Sequence, residues 1–181
     1  LIVSACQERA TYNGKYEIIY SNGKLPEESE AIQNNDYTIA IVPKIENIPY
    51  FNAVREGAKE AAKDLDVDVI YKGPTVANST QQIKVIAELL ENDEIDVLAV
   101  SANDPVELIP VLKEASNKGI TIITWDADTL PEGREFFINM VDDETLGRHL
   151  MDTLAWSMGE EGEFAVMTGA YSAANLNEWL K

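Results

Sequence analysis

The stretch IDVLAVSANDPVELIPVLKEASNKGITIITWDAD, residues 95–128, decides the fold. Ile95–Val100 is a short apolar run and reads as a strand. Pro110 lacks an N–H and is tolerated only in a first helical turn, so a helix starts near Leu108 and runs to about Asn117. Lys118-Gly119 stops it. Ile120–Trp125 is a second apolar run, closed by Asp126-Ala127-Asp128. Strand, helix and strand in succession make a βαβ unit with parallel strands.

The same alternation extends outward. Upstream, Tyr37–Val42 and Val67–Tyr71 read as strands, the second ended by Gly73-Pro74. Phe51, Val54, Ala58, Ala61, Ala62 and Leu65 recur at helical spacing over 50–65. Ser79 with Gln82 forms a capping box for a helix whose core stripe is Ile83, Ile86, Leu89 and Leu90. Downstream, Phe136–Met140 reads as a fifth strand, and Asp142 or Asp143 caps a helix through about Met158. Phe164–Thr168 reads as a further strand, and Ala173–Lys181 begins a helix. The fold class is α/β, with a parallel sheet covered on both faces. Ligands of such sheets bind beyond the carboxyl ends of the strands.

Composition narrows the function. The 181 residues carry 32 acidic and 14 basic side chains, for a net charge of −18. A nucleic-acid surface or a basic patch for anionic lipid needs the opposite sign. One Cys excludes an intramolecular disulfide framework and a Cys-rich zinc site, and one His (His149) argues against a His metal cage or a Ser-His-Asp triad. Neither Walker A nor G-x-G-x-x-G occurs.

The polar residues after each strand are the candidate site. Lys44, after Pro43, can donate to the oxygens of a polyhydroxylated ligand, or is a solvated loop lysine. Tyr50 and Phe51 can pack on the C–H face of a sugar ring; as alternatives they form a staple or join the core. Trp125 can stack or be core. Asp126 can accept two hydroxyl hydrogens. Asp128 can do the same, or serve the turn before Pro131. The Asp126-x-Asp128-x pattern also resembles the nucleophile motif of haloacid-dehalogenase-type phosphatases. That motif belongs on a first strand, whereas here it comes after the fourth.

At the start of the chain, Leu1-Ile2-Val3-Ser4-Ala5-Cys6 resembles a bacterial lipobox, in which the Cys carries a lipid anchor. Residues 7–36 are polar and acidic, with Asn-Gly at 13–14 and 22–23, and read as a tether.

Together, several ordered segments resemble the type I periplasmic-binding-protein family, sugar-binding lipoproteins of ABC importers, and within it the rhamnose-binding and autoinducer-2-receptor branch. The segments are Ile39–Lys44, Pro49-Tyr50-Phe51 with Gly57-Ala58, Tyr71–Thr75, Val100-Ser101-Ala102, Trp125–Asp128 and Ser172–Trp179. The resemblance runs from about Tyr37 to Lys181. It implies two Rossmann-like lobes with parallel sheets, joined by a hinge, with ligand between them. Residues 1–5 would end a signal peptide and 6–36 would be the lipid-anchored linker. Residues 37–138 would form the N-terminal sugar-binding lobe. Residues 139–181 would hold the hinge crossing and the start of a C-terminal lobe that is incomplete here.

The resemblance further implies a binding protein, not an enzyme, that needs no cofactor or metal. It would work as a monomer in the cell envelope, held to the membrane through Cys6, and would deliver a monosaccharide to permease subunits without touching nucleic acid. Lys44 and Asp126 match the Lys and Asp that contact ligand in the first lobe of autoinducer-2 receptors. Where those receptors carry Asp-Gln, this chain has Asn175-Leu176; the Ala173-Ala174-Asn175 pattern resembles rhamnose or simple-sugar relatives, in which Asn175 would bond a hydroxyl, while Leu176 stands where that branch also usually carries Gln. A receptor for autoinducer-2, in uptake or signalling, is the alternative. Sugar-responsive repressors share the fold, but residues 7–36 show no helix-turn-helix.

Overall fold

Apolar runs too short to be helices pair into one sheet in the computed structural model, which describes residues 37–92 and 94–181. The elements are β1 (Thr38–Val42), α1 (Pro49–Leu65), β2 (Asp68–Tyr71), α2 (Ser79–Asn92), β3 (Val97–Val100) and α3 (Ile109–Asn117). They continue with β4 (Thr121–Trp125), a 3-10 turn at Pro131–Gly133, β5 (Phe136–Ile138), α4 (Asp143–Met158) and α5 (Ala174–Glu178). The strand order is β2-β1-β3-β4-β5, and every pairing is parallel. The order reverses direction between β1 and β3. At such a switch point the connections leave toward opposite faces and open a crevice at the carboxyl edge.

Alternation along the strands separates two layers. Ala40, Val42, Leu98, Val100 and Ile122 are buried against Ile86, Leu89, Leu108, Leu112 and Ala115 of α2, α3 and the turn before α3. Each such large apolar side chain contributes about 2 kcal/mol. On the other face Ile39, Ile41, Val97 and Ile123 are only partly buried. Helix α1 packs along the edge strand β2. Of its proposed stripe only Phe51 is fully buried, while Ala61 is exposed and Leu65 is 62% exposed.

Several boundaries differ from expectation. The capping box at Ser79 and Gln82 does not form. Asn78 caps α2 instead, its Oδ1 accepting the Gln81 N–H at 3.0 Å, while the Ser79 hydroxyl donates to Glu107. The fifth strand ends at Ile138 because its partner β4 ends at Trp125. Phe164–Thr168 has strand composition but forms no ladder. A strand needs a neighbour for its N–H and C=O groups, and no described strand lies beside it. Asp142, not Asp143, caps α4, its Oδ1 accepting from the Thr145 N–H at 2.8 Å. Asp143 accepts instead from the Trp179 indole at 2.8 Å, which ties α4 to the end of α5. Gly147 permits that contact, since a Cβ there would collide with the Trp179 carbonyl oxygen.

No helix among the described residues is long and apolar enough to cross a membrane. Residues 1–36, with Cys6 and the proposed linker, lie outside the described residues.

Candidate functional site

Parallel strands bring all their carboxyl ends to one edge, and the polar residues after β1, β3 and β4 meet there. Helix α1 starts above the same edge. Ile48 is its extended N-cap and has no capping side chain, and Pro49 begins the helix with a ring that needs no hydrogen-bond partner. That start places Tyr50 outward and Phe51 inward. Phe51 packs edge-on against Trp125 at a centroid separation of 5.7 Å, and Tyr50 against Phe51 at 4.9 Å. Tyr71 donates its hydroxyl to the Phe51 carbonyl at 2.9 Å. Trp125 therefore stands as a wall beside Phe51, its buried indole N–H without a protein acceptor among the described residues.

Asp126 is the centre. After β4 the backbone folds through a three-residue turn, closed by the Ala127 N–H on the Trp125 carbonyl at 2.6 Å, with Asp126 at φ 61°. A non-glycine residue at positive φ is uncommon, and such strain clusters at functional sites. The turn aims the carboxylate at Tyr50, Ser101 and Lys44. Oδ1 accepts from the Tyr50 hydroxyl at 3.1 Å, and Oδ2 from the buried Ser101 hydroxyl at 2.5 Å. The Lys44 ammonium is 3.8 Å from Oδ2 and donates to Asn175 Oδ1 at 3.0 Å. Side-chain exposure is 13% for Lys44 and 8% for Asp126. Burial pulls the Lys44 amine below its ordinary range, against the opposing pull of Asp126. Burial first, then Asp126, pushes the Tyr50 phenol well up, so it stays a donor at any ordinary pH.

The structure brings Lys44, Tyr50, Asp126 and Asn175 into one group, joined by two hydrogen bonds and the Lys44–Asp126 ion pair, with Phe51 and Trp125 beside it. It does not bring Asp128 there. Asp128 turns away and is clamped by Arg134, whose Nε and Nη2 donate at 3.0 and 2.7 Å. The Thr124 hydroxyl and the Thr129 N–H complete its shell. This is the turn role that the residue pattern left open. The Arg134 guanidinium is held charged by that carboxylate.

Three residues behind this group have no site role assigned by the sequence. Ser101 and Asn103 lie in the polar stretch Ser101–Asp104 after β3, which the pattern places at the strand end without giving either a partner. Gln82 reads as half of a capping box, and no local signal shows that it turns inward.

Residues 39–181 match the periplasmic binding protein domain family. A solute-binding protein of an ABC transporter from Clostridium phytofermentas, solved with bound L-rhamnose, is 30% identical with a TM-score of 0.77, over 80% of this chain and 45% of that one. One from Burkholderia graminis, in complex with D-arabinose, is 29% identical with a TM-score of 0.75, over 82% of this chain and 51% of that one. LsrB from Clostridium saccharobutylicum, in complex with AI-2, shares the fold at 23% identity and a TM-score of 0.70, over 78% of this chain and 46% of that one. The chain spans about half the length of these structures. With the parallel sheet and the family match agreeing over the same residues, this chain belongs to the periplasmic binding protein family.

Proposed function

We propose that the protein binds a neutral, rhamnose-like monosaccharide at the carboxyl edge of its sheet and serves as the substrate-binding lipoprotein of an ABC importer. The observation that carries this is the meeting of Lys44, Tyr50, Asp126 and Asn175 beside an aromatic wall. A carboxylate accepts from sugar hydroxyls, while an ammonium and an amide donate to them. The aromatic faces of Tyr50 and Trp125 suit the C–H face of the ring. One positive and one negative charge cancel, which favours a neutral ligand over a sugar acid or phosphate. The similarity to a rhamnose-bound solute-binding protein supports the deoxysugar class. Binding would close the lobe 37–138 against a second lobe that begins within residues 139–181, and the permease would read the closed form. Cys6 would hold the monomer to the envelope by a lipid.

The phosphatase reading loses support, because Arg134 occupies the second carboxylate that it requires. The test is calorimetry and thermal shift on the full-length chain. The panel is rhamnose, ribose, xylose, galactose, autoinducer-2, and a phosphate ester with Mg²⁺. Stabilisation by one free sugar, lost in Asp126→Ala, is expected. A response to autoinducer-2 alone would move the assignment to signalling. Phosphate release without sugar binding would overturn it.

A further inference from the structure

Gln82 sits in the first turn of α2, and its side chain is fully buried. A buried amide needs all its donors and acceptors met. Here Nε2 donates to the Pro43 carbonyl at 3.1 Å and to the Ser101 carbonyl at 2.8 Å. Oε1 accepts the Asn103 N–H at 2.9 Å. Asn103, itself 6% exposed, donates from Nδ2 to the Lys44 carbonyl at 2.8 Å, and its carbonyl accepts the Ser172 hydroxyl at 3.0 Å.

The placement comes from the topology. The ladder between β1 and β3 ends with the Ser101 N–H on the Val42 carbonyl at 3.0 Å. Beyond that point the two chains part at the switch point, and the next carbonyls, of Pro43 and Ser101, lose their sheet partners. One amide from α2 takes both. Pro43 precedes Lys44, and Ser101 is the residue that donates to Asp126.

We infer that Gln82, acting through Asn103, is a positioning residue for ligand: it sets the spacing of Lys44 and Ser101 across the switch point and so preorganises the Lys44–Asp126–Ser101 group. The inference rests on the monosaccharide reading above. Its physical content is that strand-end loops already held in the binding geometry need no ordering when ligand arrives. Gln82→Leu keeps the volume and removes all three bonds. Asn103→Ala removes the link to the Lys44 carbonyl and spares Gln82, which makes it the milder variant should the first not fold.

The experiment has two arms on the full-length chain. In the first, calorimetry with the monosaccharide that the unaltered protein binds compares these variants with Leu112→Ala, a core change on α3 remote from the site. Gln82→Leu and Asn103→Ala are each expected to weaken binding tenfold or more, and the double variant little further. Leu112→Ala is expected to lower thermal stability while leaving affinity within twofold. Losses in the amide variants no larger than in Leu112→Ala would overturn the inference. The second arm needs no ligand: the Lys44 side chain is titrated by NMR on carbon-labelled lysine. The amine is expected to titrate below 10.5 in the unaltered protein and to move back toward that value in both variants. An unchanged Lys44 titration would overturn the inference. Absence of any sugar binding by the unaltered protein would overturn the monosaccharide reading, with the clamp itself decided by this second arm.

Discussion

Asp126 and Asp128 lie two residues apart after β4, and the regions they anchor differ in what surrounds the carboxylate. Asp126, 8% exposed, takes its donors from distant segments, two hydroxyls and the Lys44 ammonium, and keeps capacity to accept from a ligand. Asp128, 23% exposed, is held within its own loop, where the Arg134 fork and two further donors fill its oxygens. The lesson is that residue type and position after a strand do not make a binding group; unfilled acceptor capacity does. The backbone turn at φ 61° separates the two, because it sends neighbouring carboxylates to different sides.

The comparison is broken most directly by truncating each acid. Asp126→Ala should weaken sugar binding by about 100-fold or more, since hydrogen bonds to a charged group contribute about 1.5–3 kcal/mol each. It also strands the Lys44 ammonium, 13% exposed, and the Ser101 hydroxyl, so the melting temperature should fall as well; calorimetry and a thermal melt together check this. Asp128→Ala should lower stability alone. It strands Arg134, which is 20% exposed and can partly rehydrate. A loss of about 2 kcal/mol in denaturant unfolding is expected, with affinity within about twofold. Equal effects of the two variants on affinity would refute the distinction.

Lys44 sharpens it further. Burial lowers its proton affinity, so the ammonium is lost below the ordinary lysine value of 10.5. Sugar affinity should therefore fall on the alkaline side before pH 10.5, by about tenfold, and Lys44→Met should flatten that limb. Folding has the opposite sign. Between the lowered folded value and 10.5 the unfolded chain holds the proton that the folded chain has released, so this group's contribution to stability rises with pH there. Affinity and stability measured across the same range separate the two. The smallest effect belongs to a pair with neither role. Arg148 and Glu144 on α4 are 75% and 73% exposed, and Glu144→Ala should change stability by less than about 0.5 kcal/mol.

Much of the fold was legible because it is written in local periods. All five described strands, and the helices α1, α2, α3 and α4, emerge from runs, stripes and caps that neighbouring residues define. The misses have one cause. The Ser79–Gln82 box obeys a local rule, but the inner end of Gln82 meets three buried backbone groups from other elements. The run Phe164–Thr168 has strand residues, yet a strand is a property of a pair. Leu65 continues a helical stripe past the edge strand it would cover.

By itself the sequence determined the order of the elements, the parallel α/β architecture and the edge where polar residues gather, because apolar period and turn chemistry act within a few residues. Only the tertiary structure decided which of those polar residues face one another. The Lys44–Asn175 bond joins residues 131 apart, and Asp126 is distinguished from Asp128 by a single backbone turn and by the location of Arg134. Hydrogen-bond partners are settled by where segments pack, and that information is not local.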